Sequence, residues 1–436
     1  MRATKQSPRF YLALVIFSLV GQVAWVVENM YFNVFIYEMF NASPNAISLM
    51  VASSAVAATV TTLLIGALSD KLGKRKLFIC GGYIIWGITI WSFSLIRMDV
   101  IGKLFPAASS AAAVGVSLVI IMDCVMTFFG SSANDACFNA WLTDSTDETN
   151  RGRAEGINAM MPLLAVLVVF GGFMGFDLSQ SESWTVIFTI IGVVVTLIGV
   201  LGIFLIEDKA VRSDENQNYF RNILYGFRPS VVRKNGKLYA VLAATAAFNI
   251  SIQVFMPYLI IYYRESLAMD NYVLVMAPAI LLAAIFTLFY GRVYDKKGFR
   301  TAVIPVVVVL LMAGYILLYF TRSTVPVFLG SLLMMCGNLG GGAIFGAALR
   351  DYTPKNKAGM FQGLRIFGCV LVPGVIGPAI GAAVLRNAQQ IQNDDGTFSF
   401  LPNANIFLAA LVSTALLWLV LILLLRSMKK EARHAG

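Results

Sequence analysis

Apolar residues run almost unbroken from Phe10 to Phe40, and comparable runs follow at 46–69, 76–97, 112–142, 155–177 and 184–206. Each is near or above the ~20 residues with which an α-helix crosses a ~30 Å hydrocarbon layer. From Glu207 to Lys237 the chain turns polar and charged, and six more runs occupy 238–263, 271–293, 301–320, 325–349, 359–385 and 404–425. The pattern predicts an all-α membrane protein of twelve transmembrane helices in two six-helix halves, 1–206 and 238–436, joined by a linker over 207–237. The first run is longer than a signal-peptide core and lacks a small-residue cleavage pattern, so a retained helix is expected. In the linker, Phe220, Ile223, Leu224 and Phe227 recur at helical spacing among Arg221, Asn222 and Arg228. This is either an amphipathic helix on the inner membrane surface or a solvated hinge.

Composition agrees with that pattern: 58% of the 436 residues are hydrophobic, 13% are charged, and the mean hydropathy is +0.77. The net charge of +10 raises the question of nucleic acid. Yet the basic residues sit in short loops between apolar runs, and no nucleic-acid-reading motif accompanies them. Of the 33 lysines and arginines, all but Arg97, Lys103, Arg264, Arg322 and Arg386 fall on one side of the predicted helices. That bias predicts cytoplasmic termini and a multi-pass protein of the cell membrane. The five cysteines, Cys80, Cys124, Cys137, Cys336 and Cys369, lie in apolar runs without metal-ligand spacing and read as core residues. With one histidine, His434, no histidine metal site or Ser-His-Asp triad can be assembled, and no phosphate loop is present. No enzyme, cofactor or ATP-driven pump is expected; the partners are a small-molecule substrate and the lipid bilayer, and the short loops suit a monomer.

Two loops occur twice. Gly66-Ala-Leu-Ser-Asp70-Lys71-Leu-Gly73-Lys-Arg75 follows the second run, and Gly291-Arg-Val-Tyr-Asp295-Lys296-Lys-Gly298-Phe-Arg300 follows the eighth. Asp144, Thr146, Gly152 and Gly156 after the fourth run return as Asp351, Thr353, Gly359 and Gly363 after the tenth, with identical spacing. Matched loops in matched order mean matched halves. The glycines Gly66 and Gly73 are expected to allow a tight turn, while Asp70 caps a helix N-terminus or pairs with a nearby arginine. Such a contact can form in one state and break in another. The loops resemble the cytoplasmic signature of the major facilitator superfamily, a resemblance that spans the chain and implies alternating access with the signatures gating it.

Ionisable side chains inside a membrane are functional candidates, because a charge at the bilayer centre costs about 2.5–3.5 kcal/mol. They occur only in the first half: Glu28 in the first run, Asp123 and Asp135 in the fourth. Protonation removes the penalty, which suits proton coupling; sodium held between two carboxylates would serve the same residues. Gln22, Trp25, Asn29 and Asn33 form a polar and aromatic stripe on the first helix that is expected to face a cavity. Amides and carboxylates bond sugar hydroxyls while aromatic faces cover the ring, although helix-to-helix bonding is the alternative for each amide. On the fourth helix Asp135 and Asn139 lie one turn apart, for coupling and ligand contact or for a salt bridge near the inner surface. The run Asn134-Asp-Ala-Cys-Phe-Asn-Ala-Trp-Leu-Thr-Asp144 into Arg151, with Tyr225-Gly-Phe-Arg-Pro in the linker, resembles the glycoside-pentoside-hexuronide cation symporters. That resemblance implies that Asp135 helps bind sugar and cation together. The family's paired helix 2 acids fall here near Ala58 and Thr62, and its helix 1 aspartate near Gln22, departures that favour proton coupling or a quite different substrate.

In the second half, Asn249 and Gln253 are one turn apart, and the repeat offset gives Gln253 the position of Glu28. Tyr258, Tyr262 and Tyr263 read as interfacial anchors. The glycines Gly337, Gly340, Gly341 and Gly342 read as close packing, and Arg365 as a side chain reaching for the cytoplasmic surface. The expected function is proton- or cation-coupled uptake of a sugar or glycoside, with export of amphipathic drugs or lipids as the alternative.

Overall fold

The computed structural model describes residues 7–108, 110–147, 150–208, 224–269, 271–354, 361–393 and 396–434. Eleven of its helices are long and apolar enough to cross a membrane. We label them α1 (Pro8–Phe40), α2 (Pro44–Leu72), α3 (Arg75–Leu95), α4 (Ala111–Ser145), α5 (Arg151–Phe173), α6 (Ser181–Leu205) and α7 (Gly236–Ser266). Tyr272–Phe320, 49 residues long, breaks at Gly298, where φ 73 and ψ 176 are not helical. It is therefore two helices, α8 (272–297) and α9 (299–320), followed by α10 (Thr324–Tyr352), α11 (Gly363–Val384) and α12 (Asn405–His434). With that division the expected twelve helices are all present.

Local chemistry sets the boundaries. Ser7, Ser43 and Ser110 accept from the backbone N–H three residues on and so cap α1, α2 and α4, each contact stabilising its helix by about 1 kcal/mol. Pro44 occupies the first turn of α2, where its missing N–H is no loss. Asn41, in the left-handed conformation (φ 51, ψ 40), ends α1. The outward faces carry Leu77, Ile121, Val168, Phe204, Phe289 and Leu416, all exposed, as lipid contact requires.

The chain divides into two compact units, Met1–Tyr219 and Phe220–Gly436. In the first, α1 packs on α5, α2 on α4, and α3 on α6; in the second, α7 packs on α11, α8 on α10, and α9 on α12. The duplication seen in the loops therefore extends to helix pairing. Small residues make the seams: a Cβ on Gly87 of α3 would lie 2.4 Å from the backbone of Thr196 on α6. Gly337 and Gly341 on α10 likewise sit against Leu311 and Phe248, as expected for packing, whereas Gly342 meets nothing within 4 Å.

One expectation is corrected: Tyr258, Tyr262 and Tyr263 are not exposed anchors but buried side chains of the second unit, Tyr263 against Ser331 of α10 and Tyr262 against Phe407 of α12, and rings packed between helices have no face left for lipid headgroups. In the linker, Leu224–Phe227 is a 3₁₀ turn, with Tyr225 and Phe227 packed on Phe361 and Phe367; Phe220 and Ile223 lie outside the described residues. Pro229 then opens a separate short helix, Pro229–Lys234. Between α11 and α12 a small antiparallel hairpin, Gln390–Gln392 with Phe398–Phe400, interrupts the otherwise helical chain.

Candidate functional site

The acids of the first unit gather where helices depart from regular geometry. Glu28 lies in a π-helical turn of α1, Val27–Tyr31, and Asp135 in a longer π segment of α4, Ser131–Phe138. Such turns are frequent at functional sites, because the wider ring re-aims side chains and frees carbonyls. Glu28 is buried, 7% exposed, and its Oε1 accepts from Ser54 Oγ of α2 at 2.7 Å and Thr127 Oγ1 of α4 at 2.9 Å. Ser54 and Thr127 also contact one another at 2.9 Å. Glu28 Oε2 is buried with no partner among the described residues. One turn along α4 from Thr127, Asp123 is 1% exposed, and its Oδ1 is likewise without a partner. Asp135 is half-buried and accepts from Ser131 Oγ at 3.0 Å. Asp123 and Asp135 both interact electrostatically with Glu28, and among the described residues no basic group acts on the three acids.

The polar stripe of α1 does not stay on one face. The π turn adds a residue, about 100° of rotation, between Trp25 and Asn33. Asn33 is therefore fully buried while Asn29 is exposed. The amides expected to hold ligand bond mainly to carbonyls around π segments: Asn29 Nδ2 to Trp25 O (2.7 Å), Asn33 Nδ2 to Asn29 O (2.9 Å), and Asn139 Nδ2 to Asp135 O (3.2 Å). In the second unit Asn249 Nδ2 does the same for Cys369 O (3.1 Å), inside the π turn Phe367–Leu371 of α11. Gln22 is half-buried and has no hydrogen bond among the described residues; Gln253 is half-buried with its Cβ against Gly377. Trp25 stacks obliquely on Trp86 at 5.0 Å and points Nε1 at Asn134 Oδ1 (3.4 Å). Asn134 donates to Tyr83 Oη (2.6 Å), which donates to Phe17 O (2.8 Å), a buried chain tying α1, α3 and α4. Gly21 makes room for it, since a Cβ there would lie 2.2 Å from Asn134 Nδ2.

The duplicated loops differ in their bonding. In the first, Arg75, 6% exposed, reaches Asp70 at 2.5 Å, Asp144 at 3.1 Å and Ser69 Oγ at 2.6 Å. Of the two roles open to Asp70, the arginine pair is the one formed; Lys74, not Asp70, stands at the N-cap of α3. Gly73 takes φ 62, ψ 26, which glycine adopts without strain. Gly66 is corrected: it lies inside α2, and the turn uses Gly73; its counterpart Gly291 also lies inside a helix, and the positive φ of the second loop falls on Gly298. In the second loop Asp295 and Arg300 are exposed, with no ion pair among the described residues, and Asp351 accepts instead from Tyr294 Oη at 2.5 Å. The side chain of Arg151 lies outside the described residues.

Sequence reasoning missed Ser54, Thr127, Ser131 and Tyr83. Among the described residues, the buried Ser, Thr, Asn and charged side chains of the second unit are all hydroxyls, so the buried acids remain confined to the first.

Residues 11–378 match the family model described as Major Facilitator Superfamily. No curated protein sequence matches significantly. Among solved structures, a mutant of the nucleoside transporter NupG superposes with a TM-score of 0.70 at 12% identity, covering 95% of this chain and 99% of that one. A bacterial homolog of the human lysosomal transporter Spinster, inward-facing and occupied, gives 0.69 at 14% identity, covering 97% and 98%. The xylose transporter XylE from E. coli, partially occluded and inward open, gives 0.66 at 14% identity, covering 95% and 98%. Identities this low speak for the fold alone, but the family model covers most of the sequence: the chain belongs to the major facilitator superfamily and is a membrane transporter, not an enzyme.

Proposed function

We propose that this transporter takes up a sugar or glycoside together with a proton by alternating access, with both termini cytoplasmic in the cell membrane and a monomer sufficient. The observation that carries the reading is the set Glu28, Asp123 and Asp135 on α1 and α4, buried or half-buried, with both aspartates interacting with Glu28 and no base opposing them among the described residues. Acids so placed are suited to binding a cation that the membrane environment would otherwise exclude. The coupling ion we favour is H⁺ over Na⁺, since the paired helix 2 acids of the family that the α4 run resembles fall here near Ala58 and Thr62. Gln22, Trp25 and Asn29 are our candidates for ligand contact, aided by Asn139, Asn249 and Gln253. Asp70, Arg75, Asp144 and Arg151, with Asp295, Gly298, Arg300 and Asp351, are the candidate gating residues. The α4 and linker runs that resemble the glycoside-pentoside-hexuronide symporters support this substrate class, and so do the xylose and nucleoside transporters that share the fold.

The test is external pH in lightly buffered cells expressing the chain, on addition of a panel of sugars and glycosides. Alkalinisation that Glu28→Gln or Asp135→Asn abolishes supports the proposal. No response to any sugar, with or without sodium, overturns it and favours export of amphipathic compounds, for which a cationic amphiphile would meet the same acids.

A further inference from the structure

Glu28 Oε1, Ser54 Oγ and Thr127 Oγ1 form a closed triangle with edges of 2.7, 2.9 and 2.9 Å. Every edge has the length of an O–H···O hydrogen bond, and each needs one proton. A hydroxyl supplies one donor and an ionised carboxylate none. With Glu28 ionised, two protons serve three edges, and one edge becomes two lone pairs facing each other in a buried place. A proton on Glu28 Oε1 completes the count, because each oxygen then donates once and accepts once around the ring. Glu28 Oε2, buried and without a partner, becomes the carbonyl oxygen of a neutral acid, which loses less on desolvation than half of a carboxylate.

Among the described residues, no positive charge acts on Glu28. The titratable groups interacting with Glu28 are Asp123, Asp135 and the Cys124 thiol, all from α4. The charged residues of α2 are Asp70 and Lys71 at its far end; those of α5 are Arg151, Arg153 and Glu155 near its start; that of α6 is Glu182 in its first turn. On α1 itself they are Arg9 and Glu38, near its two ends.

We propose that the Glu28–Ser54–Thr127 triangle is a proton site, with the proton on Glu28 Oε1 closing a ring that joins α1, α2 and α4. Loss of that proton removes one edge of the ring and loosens the α2–α4 seam where Ser54 meets Thr127. The role of the site in transport rests on the proton-coupled reading above, but its protonation does not.

The experiment is infrared difference spectroscopy of the full chain in lipid nanodiscs, in sodium-free buffer, wild type against Glu28→Gln. The expected result is a protonated-carboxyl C=O band at neutral pH that Glu28→Gln removes. Thr127→Val, which keeps the side-chain shape, and Ser54→Ala should both shift it, while Ser131→Ala, beside Asp135, should not. Carboxylate bands alone at neutral pH, a band indifferent to both hydroxyl variants, or a band that sodium abolishes would overturn the proposal. A Glu28 band without sugar-driven pH change leaves the proton site standing and sinks symport; sugar-driven pH change lost in Asp135→Asn but without a Glu28 band does the reverse.

Discussion

Replacing Arg75 by methionine should open the Asp70–Arg75 loop of the first unit, and its duplicate gives an internal control. The arginine side chain is 7% exposed, while Asp70 and Asp144 are 34% and 27% exposed. Truncating one member of a fully buried ion pair costs about 3–5 kcal/mol, chiefly through the charge left behind. Here the abandoned carboxylates retain part of their hydration, which screens the loss to about 2 kcal/mol. That corresponds to roughly a 30-fold shift between closed and open loop. Cys137 is fully buried with its thiol beside Ser69, the same serine that Arg75 holds. In a background where Cys137 is the sole cysteine, thiol labelling that proceeds through loop opening should therefore accelerate about 30-fold in Arg75→Met. Arg300→Met removes an exposed side chain with no ion pair among the described residues, and a single-cysteine probe placed at Phe299, buried beside it, should respond by less than about 0.5 kcal/mol. Less than a twofold acceleration in Arg75→Met, or an equal response at the second loop, would refute the reasoning.

Other substitutions separate packing from ligand contact. Gly21→Ala forces a methyl group into Asn134 and should lower stability by about 1–3 kcal/mol, read as a drop in the thermal transition of purified protein. Gly73→Ala should destabilise by about 1 kcal/mol because of its positive φ, whereas Gly66→Ala, inside α2, should be neutral or stabilising in the same assay. Asn249→Ala strips the bond to Cys369 O and should lower stability by about 1 kcal/mol; if the residue also holds ligand, the apparent KM of uptake rises as well, and an unchanged KM removes it from the binding set.

The helices were legible because the bilayer admits few ways to satisfy a backbone, so hydropathy alone marks each span. The duplication was legible because Gly73 and Gly298 answer a backbone demand that few other residues meet, while Asp70 and Arg75 answer each other. The site was legible only in its acids. Ser54 and Thr127 carry no signal, since hydroxyls in membrane helices commonly bond back to the carbonyl four residues earlier, as Thr59 and Thr245 do here. A π turn leaves no compositional trace, so the rotation that buries Asn33 and exposes Asn29 was hidden, and with it the use of the amides on carbonyls. The buried tyrosines of α7 misled for a related reason: at a helix end they match an interfacial belt, and nothing in the sequence says that α10 and α12 pack over them. The hairpin after α11 did leave a sign, the Asp-Gly pair at Asp395 and Gly396 between two short alternating runs.

The most direct test of proton-coupled uptake uses purified protein in liposomes, with radiolabelled sugar outside and an inside-alkaline pH gradient imposed. Wild type should accumulate sugar above its external concentration while the gradient lasts, and Glu28→Gln should only equilibrate it. Accumulation that persists in Glu28→Gln, or that follows a sodium gradient instead of pH, would contradict the account.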